Sequence, residues 1–342
     1  MIKRSKPQSL SVARISLLIF FMTLIFSSAF AQHPTYFTSF KTGAEWVADD
    51  GLPIDCHGGN IIYVDSLKTF FWYGEHYGNP RGAACYSSKD LYNWKNEGVV
   101  MTKGDIEIFE RPKVIYDEIN KRYVMWFHYD GNRYSIAELG VAVSDKPTGP
   151  FKLQNHFRPN GHESRDIGLY VDPETKKAYI GYAADHVNRT IRMVELSSDY
   201  LNVTSNDVDI NAHCEGPGIL KKNGTFYLLT SGCSGWTPNP GHYYTSASIT
   251  GPYAEQESPF VGDAGDNSFN SQPCYIFKIP NYKNAYLYMG DRWNGSGSPK
   301  SQYVFLPITI TPGGQMEIHF YRKWDLNIFT PEKKRYSRLS CI

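Results

Sequence analysis

The chain has 342 residues, with 35 Lys and Arg against 34 Asp and Glu, for a formal net charge of +1. No basic block or stripe stands out, which argues against nucleic acid as a partner. Aromatic residues reach 15%, with 25 Tyr and 7 Trp, a content that suits sheet packing.

The N-terminus carries Lys3, Arg4, Lys6 and Arg14, then an apolar run over 15–26 and the small-x-small motif Ala29-Phe30-Ala31. This pattern predicts a signal peptide over 1–31, cut after Ala31, and so an exported protein, periplasmic or secreted. The apolar run is short for a membrane span, so no membrane attachment is expected after cleavage. Residues 1–31 hold four basic and no acidic residues, so the mature chain 32–342 has a balance of −3. Six cysteines remain, Cys56, Cys85, Cys214, Cys233, Cys274 and Cys341, without CxxC or zinc spacing. Export permits disulfides. Cys56, Cys214 and Cys274 lie beside candidate site residues and read as small buried thiols.

Helical periodicity is scarce along the mature chain, and short alternating or aromatic runs dominate. Five segments of like build recur at a period of about 50 residues. The first opens on His57-Gly58-Gly59-Asn60, with strands over 61–64 and 69–73. The second opens on Glu110-Arg111-Pro112, with strands over 113–116 and 123–128. Ser164-Arg165-Asp166 precedes strands over 167–171 and 178–183. Glu215-Gly216-Pro217 precedes strands over 218–221 and 225–230, joined by Asn223-Gly224, a dipeptide suited to a type I′ turn. Ser271-Gln272-Pro273 precedes strands over 274–277 and 285–289. Material for outer strands follows each, at 83–87, 136–143, 190–196, 242–247 and 301–307.

This period is that of a four-stranded blade, so the expected fold is all-β, a five-bladed β-propeller forming a single catalytic domain over 32–342. A two-sheet sandwich would also give short strands, but not polar openers at blade spacing. The segment 316–320, with Trp324 after it, is expected to supply closing strands, and 38–54 to complete the first or last blade.

Innermost strands of a propeller run beside the central channel, so residues that open them converge at one end. Glu110, Asp166, Glu215 and Gln272 hold such positions. A glycosidase needs a carboxylic acid of raised pKa to protonate the leaving oxygen, and a second group on the other face of the sugar. Crowded carboxylates raise one another's pKa, and burial adds to this. Glu215, between Cys214 and a Gly-Pro-Gly turn, is the best acid. Asp166 follows Arg165, which would keep it ionised and able to tune the acid. Taken singly, each could merely satisfy turn amides; the bland reading weakens for the whole set. Trp236, Trp293 and Tyr129 are candidate platforms for a pyranose face or packing between blades. Trp72 and Trp126 read as core, and His57 and His128 as channel-lining.

The segments DCHGGNIIYV with WYGE, FERPKVIYD with YVMWFH, SRDIGLYVD, EGPGILKKNGTFYLLTSGCSGW, and SQPCYIF with YLYMGDRW resemble glycoside hydrolase family 43. More narrowly they resemble its exo-β-1,3-galactanase branch. The resemblance implies a five-bladed propeller hydrolysing with inversion, acting on an oligo- or polysaccharide. It implies Glu215 as general acid and Asp166 as its pKa modulator, with Glu110 and Gln272 among the catalytic and sugar-contacting groups. Glu75 and Ser234 match sugar-contacting positions. The wider family places an aspartate base at the first-blade opener, where this chain reads His57-Gly58-Gly59. The galactanase branch shares that absence, and Gln272 resembles the glutamine proposed there to replace the base. Gln272 is thus expected to position the water, with Glu110 as rival and Asp55 nearby. No cofactor is expected. Parts of the wider family hold a calcium by a channel histidine, which leaves a structural calcium in the central channel open here, although no acidic loop of calcium spacing supports it. The resemblance implies release of terminal galactose from β-1,3-galactan. Alternatives are another exo-glycosidase, such as an α-L-arabinofuranosidase, or a non-catalytic sugar-binding propeller, which the missing aspartate motivates.

Overall fold

The computed structural model describes residues 36–185, 188–263 and 265–332. The signal-peptide expectation and Cys341 fall outside these residues. After β1 (Phe40–Lys41) the chain builds the first blade from β2 (His57–Val64), β3 (Thr69–His76), β4 (Gly82–Ser88) and β5 (Trp94–Thr102). The second blade holds β6 (Ile108–Asp117), β7 (Arg122–Asp130), β8 (Glu138–Ser144) and β9 (Lys152–Phe157). The third holds β10 (Ile167–Val171), β11 (Ala178–Ala184), β12 (Thr190–Leu196) and β13 (Val203–Asp209). The fourth holds β14 (Glu215–Lys222), β15 (Thr225–Ser231), β16 (Gly241–Ser246) and β17 (Ala254–Gln256). Then comes β18 (Phe260–Val261), and the fifth blade is β19 (Gln272–Lys278), β20 (Tyr286–Arg292), β21 (Gln302–Ile310) and β22 (Met316–His319). Strands within each blade pair antiparallel, except that β18 adds a parallel edge to β22. The ring is closed by inner strands: β2 lies against β6, β6 against β10, β10 against β14, β14 against β19, and β19 against β2.

Hairpin chemistry fixes the register. Asp117 accepts the N–H groups of Ile119 and Asn120 at 3.1 and 3.0 Å, and Asp172 accepts those of Glu174 and Thr175 at 3.0 and 2.9 Å. These Asx turns close the inner hairpins of the second and third blades. Asn223 and Gly224 take φ of 52° and 83°, as the type I′ turn requires. Trp72 and Trp126 are buried, packed in the seams between blades.

One expectation is corrected. The segment 38–54 completes no blade: β1 pairs with β23 (Lys323–Trp324) in a separate two-stranded clasp. The last blade takes its outer strand from β22, whose free edge β18 then covers, so no edge there is left for the N-terminal segment.

Candidate active site

The openers converge through a local irregularity of the inner hairpins. Register slips by one extra residue between His57 and Asn60, Glu110 and Lys113, Glu215 and Gly218, and Pro273 and Tyr275. Such bulges bend a strand and re-aim its side chains. Just after three openers the backbone turns left-handed, at Gly58 (φ 60°), Arg111 (φ 51°) and Gly216 (φ 63°). Together the openers surround a cavity of about 390 Å³ at one end of the channel, lined by Glu75, Glu110, Asp166, Glu215, Gln272, Trp236 and Trp293 among others. Fully buried Asn60 and Lys113 close the ring beneath it.

Arg111 organises the floor. Its backbone N–H donates to Glu75 Oε1 at 2.8 Å, and its guanidinium reaches Gln272 Oε1 at 2.5 Å, Pro273 O at 3.2 Å and Asp166 Oδ2 at 3.0 Å. Asp166 therefore pairs with Arg111. This corrects the expected partnership with Arg165, which bonds Glu163 at 2.8 Å and the carbonyl of Tyr134 at 3.2 Å.

Gln272 lies directly against the candidate acid. Its Nε2 donates to Glu215 Oε1 at 3.0 Å and to Ser231 Oγ at 3.1 Å, while its Oε1 also accepts from Trp293 Nε1 at 2.8 Å. Glu215 Oε2 accepts from Asn188 Nδ2 at 2.7 Å. Burial, then the charge of Asp166, pushes Glu215 up to about 8, against Arg111, Asn188 and Gln272. Burial and the charge of Glu110 push Glu75 up to about 7, although Tyr77 Oη donates to Glu75 at 2.6 Å. Glu110 goes the other way. Burial would raise it, but His128 Nδ1 at 3.1 Å, Tyr134 Oη at 2.8 Å and Arg111 hold it below the ordinary value. His128 is buried yet pushed up to about 9, because Asp130 and Glu110 flank its two ring nitrogens. One cavity thus holds a glutamate whose pKa is raised, Glu215, and one whose pKa is lowered, Glu110, an environment that pushes two carboxyl groups apart.

Other predicted residues lie elsewhere. His57 does not line the cavity: it is fully buried behind it, between Asp55 (3.3 Å) and Asp291 (3.5 Å), with its ring stacked on Tyr303. Asp55 is committed to the N–H groups of Tyr77 and Gly78, each at 2.9 Å, and to His76 at 3.1 Å, which removes it as a water-activating base. Tyr129 turns away from the cavity, stacking on His156 with ring centroids 4.1 Å apart; the next residue on the strand, His128, faces inward, as strand alternation dictates. Ser234 spends its hydroxyl on its own loop, donating to Thr237 O at 2.6 Å and accepting from Asn239 at 2.5 Å. Trp236 and Trp293 do reach the cavity, edge to face at 5.0 Å.

Sequence reading passed over Arg111, Tyr134 and Asn188 as site residues. Arg111 carried a signal, since it follows an opener at the place where the first and fourth segments have glycine. Glu110, His128 and Asp166 bring potential ligand atoms within 4.8 Å of one another; within that set His128 Nδ1 faces Glu110, and Asp166 pairs with Arg111. The five cysteines among the described residues are free thiols, four of them buried.

A model of the family described as Glycosyl hydrolases family 43 matches residues 55–275, from just before the first opener to just past the fifth. Among solved structures, a β-1,3-galactosidase of that family is 39% identical with a TM-score of 0.80, over 85% of this chain and 64% of that one. This chain thus spans slightly less than two thirds of that relative. An exo-β-1,3-galactanase variant from Phanerochaete chrysosporium, solved with β-1,3-galactotriose, is 31% identical with a TM-score of 0.78, over 87% of this chain and 71% of that one. A β-D-galactofuranosidase from Aspergillus niger is 25% identical over 246 residues, 62% of this chain and 69% of that protein.

Proposed function

The chain belongs to family 43 of the glycosyl hydrolases, and from this premise we propose that it is an exo-acting, inverting hydrolase that releases terminal galactose from β-1,3-galactan, the backbone of arabinogalactans. The observation that carries the reading is a cavity of about 390 Å³ with Glu215, pushed up to about 8, among its lining residues. A cavity of this size takes a chain end, and a carboxyl still protonated at neutral pH is what a leaving glycosidic oxygen needs. The relatives that act on β-1,3-galactose linkages support galactose as the sugar. Retention of the acid and its tuning partner speaks against a purely binding propeller.

Glu215 protonates the leaving oxygen and Asp166 raises its pKa. Gln272 positions the water, with Glu110 as rival. An inverting pair is separated by about 6.5–9.5 Å to admit sugar and water. Gln272 Nε2 lies 3.0 Å from Glu215 Oε1, so the amide must swing off the acid when sugar enters. No cofactor enters this scheme. Among the described residues no helix is long and apolar enough to cross a membrane. Export by the leader over 1–31 completes the proposal; N-terminal sequencing of the mature protein should begin at Gln32.

The test is product analysis on β-1,3-galactan, arabinogalactan and arabinofuranosyl and galactofuranosyl model substrates. Galactose released from chain ends, first appearing as the α-anomer, is the expected result; arabinose or galactofuranose alone would defeat the substrate assignment. Glu215→Gln should lose about 100-fold or more on galactan. It should recover much of that on a galactosyl substrate whose leaving group needs no proton. Gln272→Ala and Glu110→Gln are compared on the same substrate, and the variant that stays inactive there identifies the group that handles water.

A further inference from the structure

Beneath the cavity lies a buried cation that the proposed reaction does not use. Lys113 is on β6, three residues after Glu110, and its side chain is fully buried. Its Nζ donates to the carbonyl oxygen of Gly58 and, at 3.4 Å, to that of Arg111. Both partners are backbone carbonyls rather than carboxylates. Burying an ammonium costs several kcal/mol even after relaxation, so a structure that keeps one beneath its active site holds it against a standing penalty. Burial indeed pushes Lys113 down to about 8, with Arg111 acting the same way and Cys274, Asp291 and Glu75 opposing.

The two carbonyls belong to equivalent places in the repeat, the left-handed residues that follow the first and second openers. Glycine adopts that conformation freely. For Arg111 it costs about 1–2 kcal/mol, and such strain persists only where surrounding contacts over-determine it. The strained turn lets the Arg111 N–H reach Glu75 while its guanidinium reaches Asp166 and Gln272. Gly58 is pinned from its other side, where its N–H donates to Asp291 Oδ2 at 3.0 Å. With Lys113 on its carbonyl, Gly58 is held through both its N–H and its C=O, joining the fifth, first and second blades at one point.

We infer that Lys113 is a positioning residue: by binding the carbonyls of Gly58 and Arg111 from below the cavity, it holds Arg111 in the conformation that arrays Glu75, Asp166 and Gln272 around the sugar. The inference rests on the hydrolase reading for its rate consequences and on the carbonyl cage alone for its structural ones.

The test uses two variants. Lys113→Met keeps length and bulk but removes the ammonium from both carbonyls; kcat should fall about 100-fold, as for misplacement of reacting groups by about 1 Å, with a smaller change in KM. Lys113→Ala leaves a carbonyl-lined hole that methylammonium fits. Adding it should restore kcat by about tenfold or more and raise Tm, as a ligand of the folded state alone does. Tetramethylammonium at equal ionic strength should do neither. A Met variant within about twofold of wild type in kcat/KM would overturn the inference. So would an Ala variant that gains no more from methylammonium than from tetramethylammonium. If the Met variant does not fold, the Ala variant and its amine response decide. If wild type proves inactive on galactan, the function reading has failed by itself, and the amine-dependent rise in Tm still decides whether a cation at this place organises the floor.

Discussion

At the scale of residues, the site separates carboxyl groups by environment rather than by type. Glu215 and Glu110 are both glutamates at strand openers, yet burial and Asp166 raise the first, while His128, Tyr134 and Arg111 lower the second. The acid must be protonated to act, so the rate should fall as pH rises through about 8. Asp166→Asn removes the like charge and leaves Arg111 without its carboxylate, and both changes stabilise the Glu215 anion. The alkaline limb of kcat/KM should therefore move to lower pH. A limb that stays in place while kcat drops would show that Asp166 acts by holding sugar or Arg111 rather than by tuning the acid. Position 58 explains its own departure from the wider family. A Cβ built on Gly58 would lie 2.6 Å from Glu75 Oε1, on a backbone at φ 60°. Glu75, from the neighbouring strand, already occupies the space an aspartate would enter, so a carboxylate is present there but arrives from β3 rather than β2.

At the scale of elements, the bulge is the device that makes a site out of ordinary hairpins. Four of the five inner hairpins slip by one residue at the opener, whereas β10 and β11 pair without a slip and Asp166 simply precedes the strand. Gly216→Ala tests this. The residue sits at φ 63°, and an added Cβ would lie 2.8 Å from Pro273 O. The substitution should cost about 1–2 kcal/mol of stability, read from the denaturation midpoint. By turning Glu215 it should lower kcat far more than it raises KM. Wild-type kcat with lowered stability would show that the bulge carries fold but not function. The same device marks the limit of what the sequence displays. Blade count, hairpin boundaries and the Asn223-Gly224 turn are local, and periodicity and turn chemistry reveal them. Glu110, Asp166, Glu215 and Gln272 are legible too, because they repeat. The direction of Tyr129 against His128 depends on register within a bulged strand, and the commitment of Asp55 to Tyr77, Gly78 and two histidines depends on a loop fold. Tyr134 arrives on a turn outside the repeat, and no local pattern announces that its hydroxyl reaches Glu110.

At the scale of the molecule, a ring of blades must be closed, and among the described residues no N-terminal strand enters the last blade to reinforce the contact of β19 with β2. The clasp of β1 with β23 and the cluster around His57 do so instead. His57 lies at the start of the first blade, between Asp55 and Asp291 of the fifth, and Tyr303 of the fifth blade stacks on it. Burial opposes its charge, but the carboxylates of Asp291 and Asp55 beside it outweigh that and push it up to about 9. A histidine raised in the folded state contributes stability that is fully present below its unfolded value of 6.5 and is lost as pH rises through the folded value of about 9. The ceiling is about 3 kcal/mol, and His128, likewise near 9, adds a similar contribution in the second blade. Glu75 and Glu215 act in the same direction over lower windows, from 4.5 up to about 7 and about 8, because each keeps its proton to higher pH when folded, while Lys113, pushed down to about 8, opposes the trend above that value. The two histidines, joined by Glu215 up to about 8, therefore predict a Tm that falls between pH 6.5 and about 9, by several degrees or more. His57→Gln removes the contribution at the seam while leaving the lining of the cavity unchanged, so this variant should be less stable at pH 6.5 and should lose less of its remaining stability on going to pH 9.5. Its pH–rate profile should keep the alkaline limb set by Glu215. A wild-type Tm that is flat or rising over that interval would mean that the seam is held by the clasp and apolar packing, with the imidazolium contributing nothing.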